Sequence, residues 1–411
     1  MSRETPEDPM TTTTSAPQAT AKSAAALKES AAALVPLLRE NAARTEADRK
    51  VAEENITALS EAGLFRLTVP RRLGGHEAGI RTFMEITSEL ARGCGSTAWV
   101  TTLINVSNWT VGLYPERAQQ EVWGENPDAR VCGVLAPSAT SRAVEGGQVV
   151  TGRWGFASGS LHSQWACLGI PVVDASGQQI DQGSALIPME ELTIEDTWYV
   201  AGMRGTGSNT LVADEVFVPA HRIMSVTQGV QGTYPTERKD EGLYRSAMVP
   251  VLALVLAGPQ VGLAQAGMDV VTASLAKGRG ISYTFYERAS EAPSTQIQLA
   301  EAAQLIDTAR LHLMRAADDI DSWAAHGEYM PFETRARVRM DTGYVARRSR
   351  EALDLLLSIQ GAGSFAEANP LQRIWRDQET SSRHAVINPA IAGELYGRAL
   401  LGIEEQVTPL I

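Results

Sequence analysis

The sequence predicts an α+β fold in three successive parts: a helical domain, a central β-barrel or β-sandwich, and a closing helical bundle. Three observations predict it. Before about residue 122, apolar residues recur at the three- and four-residue spacing of helices packed on one face. Between about Ala129 and Val226 the texture changes to short β-rich runs punctuated by Gly and Asp. Beyond a loop at Gly229 to Gly242, Leu299, Ala302, Ile306, Ala309, Leu313, Ala316 and Ile320 form a seam like a coiled-coil stripe. The expected parts are a tail over 1–21, a helical domain over 22–124, a β domain over 125–227 and a helical bundle over 228–411.

Each element has its own signal. The tail is rich in Thr, Ser, Pro and Ala and lacks an apolar core segment, so it reads as disordered rather than as a signal peptide. Leu27, Ala31, Leu34, Leu38 and Ala42 mark a first helix, with Pro36 predicting a kink or a late start. A second helix is expected from Asp48 to Ala62, with Gly63 just past its end. Pro70 and Leu73-Gly74-Gly75 make a loop, and a third helix carries Phe83, Ile86 and Leu90. Ser96 to Leu113 continues as a buried helix. Strands are expected at Gln148 to Thr151, Trp165 to Val173, Ser184 to Pro188 and Thr210 to Val218, with a hairpin turn at Gly146-Gly147. Late helices are expected near Asp341 to Gln360, ending at Gly361, and from Asn388-Pro389, with Asn as the cap and Pro in the first turn.

Composition narrows the function. The 411 residues are 44% hydrophobic and 20% charged, ordinary for a globular protein with a sizeable core. A formal net charge of −12 argues against nucleic acid or an anionic membrane surface as partner. No apolar run reaches the roughly 18–20 residues of a membrane span; the best, Met248 to Val261, is cut by Pro250, Gly258 and Pro259. Cys94, Cys132 and Cys167 have neither metal-ligand spacing nor disulfide density, so no metal site is expected and a reducing cytoplasm is.

The stretch Val131 to Gly169 is the richest in candidate chemistry. Arg153 to His162 combines aromatics, glycines, hydroxyls and a histidine. A flat, polar-edged cofactor needs such a wall: glycines let backbone approach a ring, Phe156 covers its face, and hydroxyls such as Ser158 and Ser160 meet its edge. An ordinary surface strand pair would also carry this composition.

Particular words then favour one reading. Leu64-Phe65-Arg66 through Pro70 and Leu73-Gly74-Gly75 resemble an "LF…VP…LGG" segment. Gly95-Ser96-Thr97-Ala98-Trp99 resembles a buried-helix entry, Gly152 to Trp165 a "GrWxFaSGxxHxxW" strand, and Gly202 to Ser208 a "GmrGTGS" turn. Arg376-Asp377, then His384 and Asn388-Pro389, resemble a C-terminal signature. Five such words in order resemble the acyl-CoA dehydrogenase fold superfamily. More closely, they resemble its flavin-dependent monooxygenases, the oxygenase halves of two-component aromatic hydroxylases.

The resemblance discriminates between branches. Acyl-CoA dehydrogenases need a carboxylate base beside the flavin, in many of them nine residues after the Arg of the Arg-Asp pair; that position is Ala385 here. The flavin-contacting "TEP" of the dehydrogenases is Leu135-Ala136-Pro137, without its acid. Hydroxylation instead needs a C4a-hydroperoxyflavin kept dry, with a hydroxyl near flavin N5 and an imidazole to take a phenol's proton. The resemblance gives those roles to Ser158 and His384. His162 is a candidate for part of the catalytic work or a structural residue of its turn, and His384 remains readable as a buried core histidine.

Other residues carry over singly. Leu135, Ala136, Pro137 and Ser138 would line the isoalloxazine edge, with Phe156 and Ser158 against the ring. Arg279 matches an arginine reaching a flavin phosphate of a neighbouring subunit, and Gln360-Gly361-Ala362-Gly363 a turn approaching the neighbour's cofactor. Without the family, Arg279 is a helix-end cation and Gly361 a helix cap. Some hydroxylases of the group carry a histidine in the segment matching Asn105 to Trp109; this chain has none there, so Ser107 or Asn108 would substitute. Trp109 and Trp165 are candidates to floor a substrate pocket. His76, His221, His312 and His326 sit in loop or solvated-helix contexts and are not assigned chemistry.

The resemblance therefore implies a homotetrameric oxygenase taking FMNH2 or FADH2 from a separate NAD(P)H:flavin reductase. It would use O2 to hydroxylate a phenolic or polyketide-type aromatic, as in antibiotic biosynthesis. No G-x-G-x-x-G fingerprint follows a strand to bind NAD(P)H itself. The alternatives are an N-oxygenase like the amino-sugar nitrososynthases, a dehydrogenase with a relocated base, and a silent scaffold.

Overall fold

Ser23 Oγ accepts the amide of Ala26 and starts the first helix. The structure, a computed structural model, describes residues 21–403, 405 and 407–411; apart from Ala21, the expected tail lies outside the described residues. Helices α1 (Ala24–Ala47), α2 (Glu53–Glu61), α3 (Ile80–Ala91), α4 (Gly95–Val111) and α5 (Glu116–Trp123) come first. Strands β1 (Val131–Val134), β2 (Ala139–Val144), β3 (Gly147–Trp154), β4 (Trp165–Val173), β5 (Gln179–Pro188), β6 (Thr193–Glu195), β7 (Thr210–Pro219) and β8 (Ile223–Ser225) follow. The chain closes with α6 (Val226–Val230), α7 (Met248–Leu254), α8 (Gly258–Leu275), α9 (Pro293–His326), α10 (Phe332–Gln360), α11 (Pro370–Ser381) and α12 (Pro389–Leu400).

Helix α1 runs through Pro36, whose ring lies on the exposed side, and Val35 rather than Leu34 takes the buried slot beside it. Helix α2 starts five residues later than Asp48, and Gly63 follows it at φ +79°, the left-handed conformation that glycine adopts without strain. Helix α4 is buried on every side except at Leu103. Its polar residues are satisfied locally: Thr101, Thr102 and Thr110 donate to the carbonyls of Thr97, Ala98 and Val106 one turn back. A helix buried all round is a rigid axle, and α4 carries Trp99 toward the site.

The strands form two four-stranded sheets, β1-β4-β5-β8 and β2-β3-β7-β6, and the β1–β4 pairing is parallel. The hairpin turn is Glu145-Gly146, one residue earlier than the Gly-Gly pair predicts, because Gly147 already pairs with Val144. Val150, Trp154, Leu168, Ile170, Leu211 and Ala213 fill the core of the β part.

In the last part, α9 buries Ala302, Ile306, Ala309, Leu313, Ala316 and Ile320, the predicted seam, with Leu299 partly buried. Helix α10 begins at Phe332, nine residues before the expected Asp341. Its first turns are rich in Arg, and their burial depends on partners elsewhere: Arg337 pairs with Asp319, while Asp341 accepts from Arg315 and His312. Asn388 Oδ1 accepts the Ala390 and Ile391 amides, capping α12 as predicted. The apolar stretch at Met248 is longer than its Pro and Gly residues suggested. It runs through a 3-10 turn to Leu275 and is long and apolar enough to cross a membrane, but 89% of its most apolar window is buried in the protein, as in a core helix.

Candidate functional site

Four segments meet at Ser158: helix α4, the turn after β3, the turn before β7, and the end of α11. Trp99 Nε1 donates to Ser158 Oγ at 3.3 Å. Ser158 Oγ lies 2.7 Å from Ser208 Oγ, which lies 2.7 Å from Thr206 Oγ1, and Thr206 donates to Met203 O at 2.8 Å. Counting protons gives the relay a direction. Thr206 spends its hydroxyl proton on Met203 O, so Ser208 donates to Thr206 and Ser158 to Ser208. Ser158 Oγ thus keeps one lone pair unused after accepting from Trp99. It is an acceptor poised for an N–H.

The relay is held from outside. Asn209 Oδ1 accepts the Thr197 and Trp198 amides at 3.1 Å each, and Asn209 O accepts the Ala157 amide at 3.1 Å. Met203 has φ +56°, and its amide donates to Asp377 Oδ1 at 2.5 Å. A Cβ on Gly202 would lie 2.0 Å from Arg376 O, so only glycine permits α11 to close on this turn. Arg376 pairs with Glu46 at 2.5 Å and donates to Ala201 O. The Arg-Asp word is thus a clasp on the Gly202–Ser208 turn. Asp377 is buried, which raises its pKa to about 6.

Phe156 stands at the rim with φ +64° and 74% of its surface exposed, edge-on to Trp198 at 5.6 Å. A non-glycine residue held at positive φ with an aromatic ring in the open is a strained, presented group. Ala136, Pro137 and Ser138 are exposed and Leu135 is half-buried, its carbonyl accepting from Gln182 at 3.1 Å.

His384 lies 6.2 Å from Trp99, ring centroid to centroid. Its residue surface is open to solvent, yet surrounding protein desolvates the ring and lowers its pKa. Desolvation is the cause, and among the described residues no carboxylate hydrogen-bonds or pairs with the ring. His384 Nδ1 accepts the Val386 amide at 3.3 Å, so the neutral ring carries its proton on Nε2. Trp99 thereby neighbours two of the three predicted catalytic residues, Ser158 and His384, a role that no spacing in the sequence signals.

Other expected residues lie elsewhere. Trp109 is fully buried and donates to Leu243 O at 3.2 Å; Asn108 is fully buried between Phe65 O and the Val131 amide. Both are core residues with no edge for a substrate, because α4 is enclosed along this stretch. Ser107 is buried against Gly133. Trp165 is half-buried under the Arg222 guanidinium at 5.0 Å. His162 is buried, with its pKa lowered to about 4 mainly by desolvation, in the company of Glu53, Lys50 and Arg130. It makes no contact with the Ser158 relay. Ser160 Oγ is buried with no hydrogen-bond partner. His76, expected in a solvated loop, is 4% exposed and its Nδ1 accepts the Lys22 amide.

Arg279 is exposed, and Ser274 Oγ donates to Gln360 Oε1 at 3.2 Å, which ties the end of α8 to the end of α10. Gly361 and Gly363 are exposed with open space where side chains would stand. These residues share no contact with Ser158 or His384. An open groove of about 850 Å³ between Val230, Tyr329, Phe332, Arg335 and Ile411 shares no residue with the Ser158 site.

The residues at Ser158 fit a flavin: an open aromatic ring at Phe156, an unused acceptor at Ser158, an unpartnered hydroxyl at Ser160 and an imidazole 6.2 Å from Trp99. No group of His, Cys, Asp and Glu that could hold a metal occurs among the described residues.

Comparison with known proteins places this geometry. Residues 22–125 match the family "Acyl-CoA dehydrogenase, N-terminal domain" and residues 254–389 match "Acyl-CoA dehydrogenase, C-terminal domain". The chain is 37% identical over 373 residues to the flavin-dependent monooxygenase oxygenase subunit HsaA of Rhodococcus jostii, covering 90% of this chain and 97% of that one. It is 34% identical over 388 residues to the oxygenase component of an FADH2-dependent resorcinol hydroxylase from a Rhizobium species, covering 91% and 93%. The solved structure of XiaF from a Streptomyces species, in complex with FADH2 and glycerol, superposes with a TM-score of 0.88 at 34% identity over 94% of this chain and 98% of that one.

Proposed function

The chain belongs to the acyl-CoA dehydrogenase family and, within it, to the oxygenase components of two-component flavin-dependent monooxygenases; from that premise we propose that it hydroxylates a phenolic or polyketide-type aromatic substrate. Reduced flavin, when bound, supplies the two electrons that let O2 place one oxygen atom on the ring and release the other as water. The single observation that carries the reading is Trp99, which links the Ser158 acceptor to an imidazole that no carboxylate among the described residues pairs with. A dehydrogenase needs a carboxylate there.

Ser158 would hold the flavin through its unused acceptor, while the relay behind it keeps its own proton turned inward. Phe156 and the Leu135–Ser138 loop would cover the cofactor and keep water off it. His384 meets the phenolic oxygen. Because Nδ1 is occupied, the neutral ring offers Nε2–H to a phenolate, and removal of the phenol proton by Nδ1 requires release of the Val386 amide. This refines the role of proton acceptor expected from the sequence. Arg279, Gly361 and Gly363 lie exposed, with Gln360 half-buried beside them, as they would in a homotetramer where they reach a neighbour's cofactor. The free, buried Cys94, Cys132 and Cys167 suit the cytoplasm, where a partner reductase supplies the flavin.

No observation favours nitrogen oxidation. The test supplies reduced FMN or FAD with O2 and compares phenols with amines for incorporation of labelled oxygen, in the wild type and in His384→Ala. Phenol hydroxylation that slows in the variant while O2 is still consumed, with H2O2 released instead, supports the reading. Product rate and yield that do not change remove His384 from the mechanism.

A further inference from the structure

Arg339 lies on α10 with 4% of its surface exposed. Its guanidinium is held by backbone carbonyls: Nη1 donates to Leu410 O and Nη2 to Val386 O at 3.1 Å. Among the described residues no carboxylate pairs with it, and burial lowers its pKa. A buried cation without a carboxylate is costly to keep, so the two carbonyls it grips matter. Val386 is one of them, and the amide of that same residue donates to His384 Nδ1 at 3.3 Å. One turn further along α10, Gly343 presses on the same segment: a Cβ there would lie 2.9 Å from Pro389 Cα and 3.2 Å from Ile387 O. Positions four apart share a helix face, so α10 grips the segment after His384 at two points.

We propose that Arg339 is a positioning residue for His384: its hold on the Val386 carbonyl keeps the Val386 amide against Nδ1, which fixes the ring proton on Nε2 and turns that edge to the substrate oxygen. The inference rests on the reading of His384 given above. The fork of an arginine suits the task, since one planar group reaches Leu410 O and Val386 O together, whereas a lysine ammonium has no such fixed geometry. Leu410 and His384 thereby share one anchor.

Two measurements test it. On flavin-free protein, diethyl pyrocarbonate labelling of His384 is followed by mass spectrometry in the wild type and in Arg339→Met, with the exposed His326 as internal control. Releasing Nδ1 from the Val386 amide is expected to speed labelling of His384 about fivefold, the factor a single hydrogen bond is worth, with His326 unchanged. On the holoenzyme, Arg339→Met is expected to lower product formed per O2 consumed roughly tenfold, the order that a small misplacement of a reacting group costs, and to add nothing in a His384→Ala background. Where Arg339→Met yields no folded protein, Arg339→Lys carries the same comparison. Unchanged labelling of His384, or an equal loss of product in both backgrounds, overturns the inference. If His384→Ala alone leaves product yield intact, the substrate-facing role falls with the reading of His384, while the labelling still reports whether Arg339 governs the ring.

Discussion

Trp99 donates its indole N–H to Ser158 Oγ at 3.3 Å, and the other side of the same indole faces the His384 imidazole. One aromatic on a helix that is buried almost all round sets the spacing of the two groups proposed to meet flavin and substrate. Trp99→Phe keeps the ring and removes the donor. Ser158 then has two unused lone pairs and loses its fixed direction, and the expected result is more H2O2 released per product. About 1 kcal/mol for the lost bond corresponds to roughly a fivefold change in that ratio. Peroxide and product assays on the two proteins check it; an unchanged ratio means that Trp99 does not orient Ser158.

The clasp between α11 and the Gly202–Ser208 turn predicts a stability effect far from any reacting atom. A Cβ at Gly202 would lie 2.0 Å from Arg376 O, a backbone atom that cannot swing aside. Gly202→Ala must therefore displace α11 or the turn, at about 1–3 kcal/mol, and loosen the Met203 amide from Asp377. Denaturant unfolding should show the loss. Because Thr206 and Ser208 belong to that turn, the ratio of product to peroxide should fall as well. Wild-type stability in Gly202→Ala would mean that the turn has slack the geometry denies.

The lowered pKa of His384 has a sign that can be read in the pH profile. Desolvation disfavours the imidazolium, so the ring is neutral at and above the usual histidine value of about 6.5. The contribution of the neutral ring is full there and is lost only as pH falls through the lowered value. Product per O2 measured between pH 5 and 8 should hold level to below about 6.5, and His384→Gln should lack that acid limb. A limb centred above the usual value that disappears in His384→Gln would contradict the desolvated site.

How far the sequence could be read depends on which forces are local. The α9 seam, the buried helix α4 and the Asn388 cap were legible because periodicity and capping are local properties. The start of α10 was not, since its arginines and Asp341 look like a solvated surface until α9 supplies Asp319, Arg315 and His312. Helix α11 passed unnoticed behind its Arg-Asp pair, although Asn369 and Pro370 mark its start. At the site, Ser158 and His384 were named through family resemblance. Trp99 and the Thr206–Ser208 relay needed the fold, because hydroxyls 50 residues apart in sequence carry no pattern of their own. Asn108 was assigned to substrate as a substitute for a histidine that some resembling hydroxylases carry in this segment, and Trp109 as a floor for a flat ring; here backbone groups of Leu243, Phe65 and Val131 consume their polar atoms.

Two buried histidines set the acid limit of the fold. His76 and His162 both have pKa values lowered to about 4 from 6.5, chiefly by desolvation. In the unfolded chain each takes up a proton near 6.5, whereas the folded chain resists until about 4. The unfolded state therefore binds more protons between those values, and stability falls as pH drops through that window. Each shift corresponds to on the order of 3 kcal/mol once pH is below both values, most of it lost by about pH 4.5. Denaturant titrations at pH 7 and pH 4.5 should show the wild type losing several kcal/mol, with His162→Gln and His76→Gln each recovering a part of that slope. Both rings have an unpartnered, buried Nε2, but His76 Nδ1 accepts the Lys22 amide, so replacement of His162 is expected to disturb the folded state less at neutral pH. Equal pH slopes in His162→Gln and the wild type would show that His162 takes up its proton without unfolding the protein.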